Sequence, residues 1–452
     1  MPDHPIASNA LPLTRDSMAD VARRALEFAR AHGASDAEVE VSAAIGQSVT
    51  VRRGEVETVE YNRDKGLGIT VYLGKRRGNA STSDLSPEAV ERTVEAACAI
   101  ARHTAEDDAA GLPDAERLYR GEPPDLDLFH PWGLTVEEAI AIARRSEAAA
   151  LAVDKRITNS EGATASSYDS DFILANSAGF LGGFASSKAS VGCGVVAEDA
   201  GGMQRDYWFT SERNPARLES AESVGRTAGE RAVRRLGGRR VPTGEAAVLF
   251  EAHVAGTLLG HFVSAASGAS LYRRSSFLLD RLGTPVFSPA VEILEDPFQP
   301  GGMASGYFDA EGVATAKRRI VEGGVLNGWF LSSYSARKLG LATTGNAGGN
   351  HNLVVKSGEH DLAGLARLMG RGLLVTEMMG QGVNPVTGDY SRGAAGFWVE
   401  GGEIRFPVEE VTIAGNLLDM FRGIVAVGRD VLVRGSKETG SILVERMTIA
   451  GD

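Results

Sequence analysis

Residues 251–279, EAHVAGTLLGHFVSAASGASLYRRSSFLL, decide how the chain is read. The apolar run 247–250 just before them has the length of a short buried strand, and the segment itself, rich in Ala, Leu and Gly, has the character of a packed helix. It carries two histidines, His253 and His261. A helix turns about 100° and rises about 1.5 Å per residue, so their separation leaves them roughly 80° apart around the axis and about 12 Å apart along it. They cannot share one metal ion. A zinc-hydrolase helix needs two histidines about one turn apart on one face, with a glutamate beside them to take a proton from metal-bound water. Gly256, Thr257, Leu258 and Leu259 stand in that place and offer no zinc ligand. The residues alone therefore predict two partly buried histidines on a packed helix.

Working outward, a Gly, Pro and Arg linker at residues 237–244, GGRRVPTG, separates two halves of different character. Upstream, residues 16–31 carry an apolar helical stripe entered through Thr14 or Asp16 and closed by Gly33. Strand-like segments follow at 37–43, 48–53, 56–62 and 67–73, then a helix from Ser86-Pro87 to about residue 103. After an acidic, Pro-rich connector at 111–131 the same order recurs: a helix capped by Thr135, strands between 157 and 209, and a helix over 219–236. This predicts an α+β fold whose N-terminal domain, residues 1–238, packs helices on antiparallel strands in layers. Residues 239–452 have short strand segments at 318–321, 325–331, 396–400, 403–407, 410–414 and 424–427, bounded by Gly-Gly and Asn-Gly turns, and predict a strand-rich, barrel-like C-terminal domain.

Composition narrows the function classes. The 452 residues carry a formal net charge of −12, which argues against nucleic acid or an anionic membrane as the main partner, since both attract basic patches. The densest basic run, RAVRRLGGRR at 231–240, reads as a helix end with cations at the negative end of its dipole. Residues 1–12, MPDHPIASNALP, lack a basic start and an apolar core, and no window approaches a membrane span, so a cytoplasmic protein is expected. Cys98 and Cys193 lie in apolar surroundings and are expected as buried thiols in a reducing compartment. A nucleophile elbow of the GxSxG type does not occur, and the carboxylates Glu292, Glu295 and Asp296 are expected to face solvent.

Three polar clusters are candidate binding surfaces. The loop TTGNAGGNHN at 343–352 offers the amides of Asn346 and Asn350 and the imidazole of His351 from irregular, glycine-rich backbone. The stretch EMMGQGVNPVTGDYSR at 377–392 holds Gln381, Asn384, Asp389, Tyr390 and Arg392. Tyr272 and Arg273 follow the helix, where a guanidinium fork matches a carboxylate. For the loop, a peptide-gripping role and a tight structural turn remain open alternatives, and for Arg273 a substrate contact, a subunit contact and a surface ion pair do.

The stretches GHFVSAASGASLYRRSSFLLDRLG, FDAEGVATAKRRIVEGGVLNGWFLSSYSARKLGLATTGNAGGNHN and GRGLLVTEMMGQGVNPVTGDYSRGAAGFWVEGGEIRFPVEEVTIAGNL together resemble the TldD/PmbA family, and the whole chain can be laid on it, down to SILVERMTIAG at 441–451. The match is closer to the PmbA (TldE) branch. What the resemblance implies is a bacterial or archaeal cytosolic metallopeptidase in which a TldD subunit pairs with a TldE subunit. In the TldD branch the catalytic helix carries His-Glu-x-x-x-His and a Cys ligand comes from near the C-terminus. With His261 laid on the second histidine, the first histidine and the glutamate fall on Gly256 and Thr257, and residues 433–444, VRGSKETGSILV, contain no Cys. The resemblance thus implies no catalytic or metal-ligating residue and no cofactor in this chain, with zinc expected in a TldD-like catalytic partner and unfolded peptide as substrate. Candidate substrate contacts are His261, Tyr272, Arg273, Asn346, Asn350, His351, Gln381, Asn384, Asp389 and Tyr390. The alternatives are a stand-alone metal-dependent peptidase, acting as a homodimer through His253, His261, His351 or Glu377, and a non-enzymatic peptide-binding or assembly module.

Overall fold

The computed structural model describes residues 11–451; Asp452 and residues 1–10, where no leader is expected, lie outside the described residues. The first helix, α1 (Arg15–Ala31), starts at Thr14, whose hydroxyl accepts from the Ser17 amide at 3.3 Å, and buries the stripe Met18, Ala22, Ala25 and Ala29. It is followed by β1 (Asp36–Arg52), β2 (Glu55–Leu73), β3 (Arg76–Thr82) and α2 (Pro87–His103). The second round runs α3 (Val136–Leu151), β4 (Ile157–Asn176), β5 (Leu181–Gly182), β6 (Ser186–Asp199), β7 (Gly202–Glu212) and α4 (Ala221–Arg234). Thr135 and Glu138 form a reciprocal capping box at the start of α3.

The two rounds share one sheet, in the order β3-β2-β1-β4-β6-β7 with β5 attached to β4. Strand β1 is the shared element. Its Val39, Val41 and Ala43 are buried with α1 and α2, while Val49 and Val51, on the same face by parity, are buried in the clusters that α3 joins. The sequence suggested two strands on either side of Gly46, but the ladder with β4 runs unbroken from Glu38 to Val51. Backbone pairing carries the strand through the polar residues that interrupt its hydrophobic pattern. Helices α3 and α4 pack closely because position 225 is glycine: a Cβ there would meet the Ser146 carbonyl oxygen at 1.8 Å.

The C-terminal half opens with β8 (Gly244–Phe250), α5 (Ala252–Ala266) and α6 (Gly268–Tyr272), so the long helix expected from the sequence breaks at Ser267, which caps α6. Next come β9 (Ile293–Asp296), β10 (Arg318–Glu322), β11 (Val325–Leu326), α7 (Ser333–Leu339), β12 (Asn352–Val355) and α8 (Leu362–Met369). The chain ends with β13 (Arg371–Met379), β14 (Asp389–Glu400), β15 (Glu403–Asn416), α9 (Leu417–Arg422), β16 (Ile424–Val427), β17 (Leu432–Val433), β18 (Lys437–Thr439) and β19 (Ile442–Ala450). Strands β15, β14, β13, β8 and β19 pair in that order, and β15 also pairs with β19, which closes a five-stranded barrel. A second sheet, β11-β10-β9-β12-β18-β17, lies beside it. Between them sits an aromatic core in which Phe287 is 4.6 Å from Phe421 and 5.0 Å from Phe262, centroid to centroid. The α+β class with a barrel-like C-terminal domain is thus the observed architecture.

The basic run at 231–240 does end a helix, with Arg231 and Arg234 in the last turn of α4, and part of it is buried in ion pairs. Arg231 is buried and donates to Asp206 of β7 at 3.2 Å and to Glu251, the residue that starts α5, at 2.9 Å. Arg235 pairs with Glu377 of β13. These ion pairs tie the N-terminal sheet to the barrel. Cys98 and Cys193 are free and buried, and burial pushes the Cys193 thiol up to about 12. Among the described residues no helix is long and apolar enough to cross a membrane.

Candidate functional site

Two of the predicted residues meet on the half-exposed face of α5. His261 lies edge-on to Tyr390 of β14, ring centroids 5.9 Å apart, and its Nε2 is buried without a hydrogen-bond partner. Burial first, and then the cation of Arg392, lower its pKa, so it is neutral at pH 7. The Arg392 Nε is likewise buried and unpartnered. Tyr390 is 1 % exposed, and its hydroxyl is pushed up to about 12 by burial, against the opposing pull of Arg392. At the residue preceding His261, a Cβ on Gly260 would stand 4.0 Å from Cε of Lys437 on β18, while about one turn further back a Cβ at Gly256 would meet nothing within 4 Å. The Thr257 hydroxyl is spent on the Val254 carbonyl at 2.6 Å. This face therefore holds small residues, two nitrogen atoms without internal partners and a lysine side chain.

His253 points elsewhere. Its Nδ1 lies 3.3 Å from Glu251 and its ring stands edge-on to Tyr207 and Trp208 of β7. Burial, with Arg231 and Arg434 nearby, takes its pKa down to about 3. Arg434 covers the Trp208 ring at 3.9 Å from the ring centroid.

The loop at 343–352 is folded around Glu295. That carboxylate, expected at the surface, is fully buried, because Ile293 and Glu295 share the inner face of β9, in phase with the buried Val291 just before it. It accepts from Asn346 Nδ2 at 2.8 Å, from the His351 amide at 2.9 Å and from Arg318 Nε at 3.0 Å. Asn346 Oδ1 accepts in turn from Arg318 at 2.7 Å and from Thr344 at 2.8 Å. The His351 ring is held between two carbonyls, Nδ1 at 3.2 Å from Ala304 and Nε2 at 3.0 Å from Gly345. Asn350 reaches the Ser436 carbonyl at 3.4 Å. Asn350 and His351 line one side of a cavity of about 280 Å³ whose far wall, Phe172 and Leu174, belongs to the N-terminal sheet. Its floor includes Asp309, which accepts from the amides of Glu311, Val313 and Ala347 and which burial nonetheless pushes up to about 6.

The remaining candidates stand apart from both places. Asn384 and Asp389 shape an exposed turn: Asn384 accepts from the Val386 amide at 3.0 Å and Asp389 from the Thr387 hydroxyl at 2.6 Å. Gln381 is exposed on the same turn. Tyr272 packs edge-on to Tyr334 at 5.8 Å, with Arg273 over its ring at 5.4 Å. Sequence reasoning missed Glu295 and Lys437. The inward phase of Val291 and Ile293 was a usable signal for Glu295; Lys437 becomes visible only when β18 is laid beside α5.

A zinc ion does not fit the α5 face, where one imidazole nitrogen stands among glycines, a committed threonine hydroxyl and a lysine. The one group of three His, Cys, Asp or Glu ligand atoms in mutual reach among the described residues is His32, Glu91 and Glu95, on α2 and the end of α1.

A barrel carrying a helix directly after its first strand, fused to a helix-layered sheet, is the architecture of a known family. Residues 37–101, 129–236 and 243–451 match, in order, the models of PmbA/TldA metallopeptidase domain 1, the central domain and the C-terminal domain. The chain is 49 % identical to the metalloprotease PmbA of Escherichia coli O157:H7 across 97 % of both chains, and 47 % identical to a PmbA homologue of Haemophilus influenzae across 95 % of both. It belongs to the PmbA/TldA metallopeptidase family. Among solved structures it resembles a protein of Bacteroides thetaiotaomicron described as a candidate modulator of DNA gyrase, with a TM-score of 0.93 at 29 % identity over 97 % of this chain and 100 % of that one. TldE of Thermococcus kodakarensis, at 21 % identity, shares the fold with a TM-score of 0.83 over 95 % of this chain and 100 % of that one.

Proposed function

We propose that this chain is the non-catalytic, TldE-type subunit of a cytoplasmic metallopeptidase complex, and that it grips unfolded peptide while a TldD-like partner carries zinc and the general base. The observation that carries this reading is Lys437. The segment that supplies a Cys ligand in the catalytic branch here lays a lysine against the α5 face at Gly260. A cationic side chain in that position repels a metal ion and attracts a carboxylate or a peptide carbonyl. His261 Nε2 and Arg392 Nε add nitrogen atoms without internal partners, which the donors and acceptors of an extended peptide backbone can satisfy. Asn350 and His351 serve the same reading through the junction cavity, which has room for a single side chain. Gln381, Asn384 and Asp389 on their exposed turn, and Tyr272 with Arg273, belong to the rim that faces the partner or the incoming peptide.

The test is peptidase activity on an unstructured peptide, with metal content recorded, for the chain alone and after mixing with a TldD-type protein. Activity and zinc confined to the mixture are expected. Chelator-sensitive cleavage by the chain alone would overturn the proposal.

A further inference from the structure

The junction cavity of about 280 Å³ is lined by groups of one chemical sign. One wall is the face of the N-terminal sheet that turns away from α1 and α2. Glu40 lies opposite Leu174 in the β1–β4 ladder and Ser42 opposite Phe172, and strand alternation puts all four on the side away from Val39 and Val41. Phe184 and Phe308 extend this wall: the Phe184 ring stands 5.0 Å from Phe172 and 5.6 Å from Phe308, centroid to centroid. The other side is made by residues 304–310 and 347–351. No Lys or Arg is among the residues that line it.

The polar atoms left free in this cavity are acceptors. Glu40, on the exposed rim, has no hydrogen bond or ion pair with any described residue. Asn350 donates through Nδ2 to the carbonyls of His351 and Ser436, which fixes its orientation and leaves Oδ1 without a donor. Asp309 takes three amides, about one fewer than a carboxylate can accept, and with burial holding it at about 6 it is charged at neutral pH. Glu38, on the same face of β1 as Glu40, is pushed up to about 8, by burial first and then by Glu311, Asp309 and Glu40, against the opposing pull of Arg77, so the local field favours positive charge. Aromatic rings beside carboxylates suit a side chain with an apolar stem and a cationic head, since a cation is drawn to ring faces as well as to anions. We propose that the junction cavity is a subsite for a lysine or arginine side chain of the bound peptide, a subsite that rests on the peptide-gripping function proposed above. The stem lies along Phe172 and Phe184, and the head sits among Glu40, Asp309 and Asn350.

The experiment is the affinity of the full chain for short unstructured peptides, blocked at both ends and alike but for one central residue, read by fluorescence anisotropy. The lysine and arginine peptides should bind about tenfold more tightly than the norleucine peptide, and the glutamate peptide more weakly than either. Glu40→Gln should remove most of that preference, and Glu40→Lys should turn it toward glutamate. Ala310 is exposed and faces Gly348 across the lining, where a Cβ on the glycine would stand 3.4 Å from its own, so Ala310→Leu fills the space and should abolish the preference. Both positions are on the surface, and an unchanged melting temperature checks that each variant folds. Butylammonium, compared with butanol by saturation-transfer NMR, reads the cavity without a peptide; the cation should bind the parent and not Ala310→Leu. Equal affinity for all the peptides, or a lysine preference that survives Glu40→Lys and Ala310→Leu, would overturn the subsite and leave the peptide-gripping function standing. Butylammonium bound at this cavity with no peptide held would overturn that function and keep the cation site, and binding of neither would overturn both.

Discussion

Two polar clusters flank the C-terminal core, and they differ in one respect. Around Glu295, the carboxylate and the Asn346 amide find their partners inside the protein, and both His351 ring nitrogens face carbonyl oxygens. Around His261, the imidazole Nε2 and the Arg392 Nε are buried with none. A complete network rigidifies the loop it holds, whereas an incomplete one is a cost that a ligand can relieve. The glycine- and asparagine-rich loop that looks most like a binding site in the sequence is thus largely internal scaffolding, and the plainer helix face carries the unspent donors.

The contrast is tested hardest by Glu295→Ala. It strands Arg318 and the His351 amide in the interior and should cost about 3–5 kcal/mol in urea unfolding. A loss under about 1 kcal/mol would show that water replaces the carboxylate. His351→Ala removes one ring and the hydrogen bond it donates to a carbonyl, with an expected loss of about 1–3 kcal/mol by the same measurement. Acid should act on the other cluster's helix. Because the folded protein holds His253 down to about 3, the unfolded chain binds the proton first, so its contribution to stability is fully present above the unfolded pKa of about 6.5 and declines as pH falls toward 3. His253→Gln should flatten the dependence of the urea midpoint between pH 7 and pH 4.5. Glu38 runs the other way: burial first, then Glu311 and Asp309, raise it to about 8, so stability declines as pH rises from its ordinary value of 4.5 toward 8, and Glu38→Gln should be more resistant to urea than the parent at pH 8.5. The smallest effect on folding is expected at the α5 face. His261→Phe should change stability by no more than about 1 kcal/mol, since no internal hydrogen bond is lost, while peptide retention by the mixed complex falls several-fold. Equal retention by the variant would remove His261 from the peptide-binding surface.

Much of the fold was legible. Helix caps at Thr14 and Thr135, the apolar stripe of α1 and the glycine turns between strands all depend on neighbours within a few residues, which sequence spacing reports directly. The continuity of β1 through Gly46 and Gln47 was not, because hydrogen bonds to β2 and β4 hold strand where the local pattern breaks. Of the site, sequence spacing correctly kept His253 and His261 apart, and motif comparison emptied the metal positions at Gly256 and Thr257. It could not rank the polar clusters, since an asparagine that grips a ligand and one that grips a buried glutamate look alike in one dimension.

Short-range facts are therefore what can be read from the chain alone: element types, caps, turns, the family and the absence of a His-Glu-x-x-x-His motif. Which donors are already spent emerged only from the folded arrangement. Glu295 meets Asn346 across 51 residues of chain, and the helix carrying His261 meets Lys437 across the whole barrel domain. Satisfaction of a buried polar group is a property of who stands within about 3 Å of it, and that is set by the packing of sheet, helix and loop rather than by any local pattern.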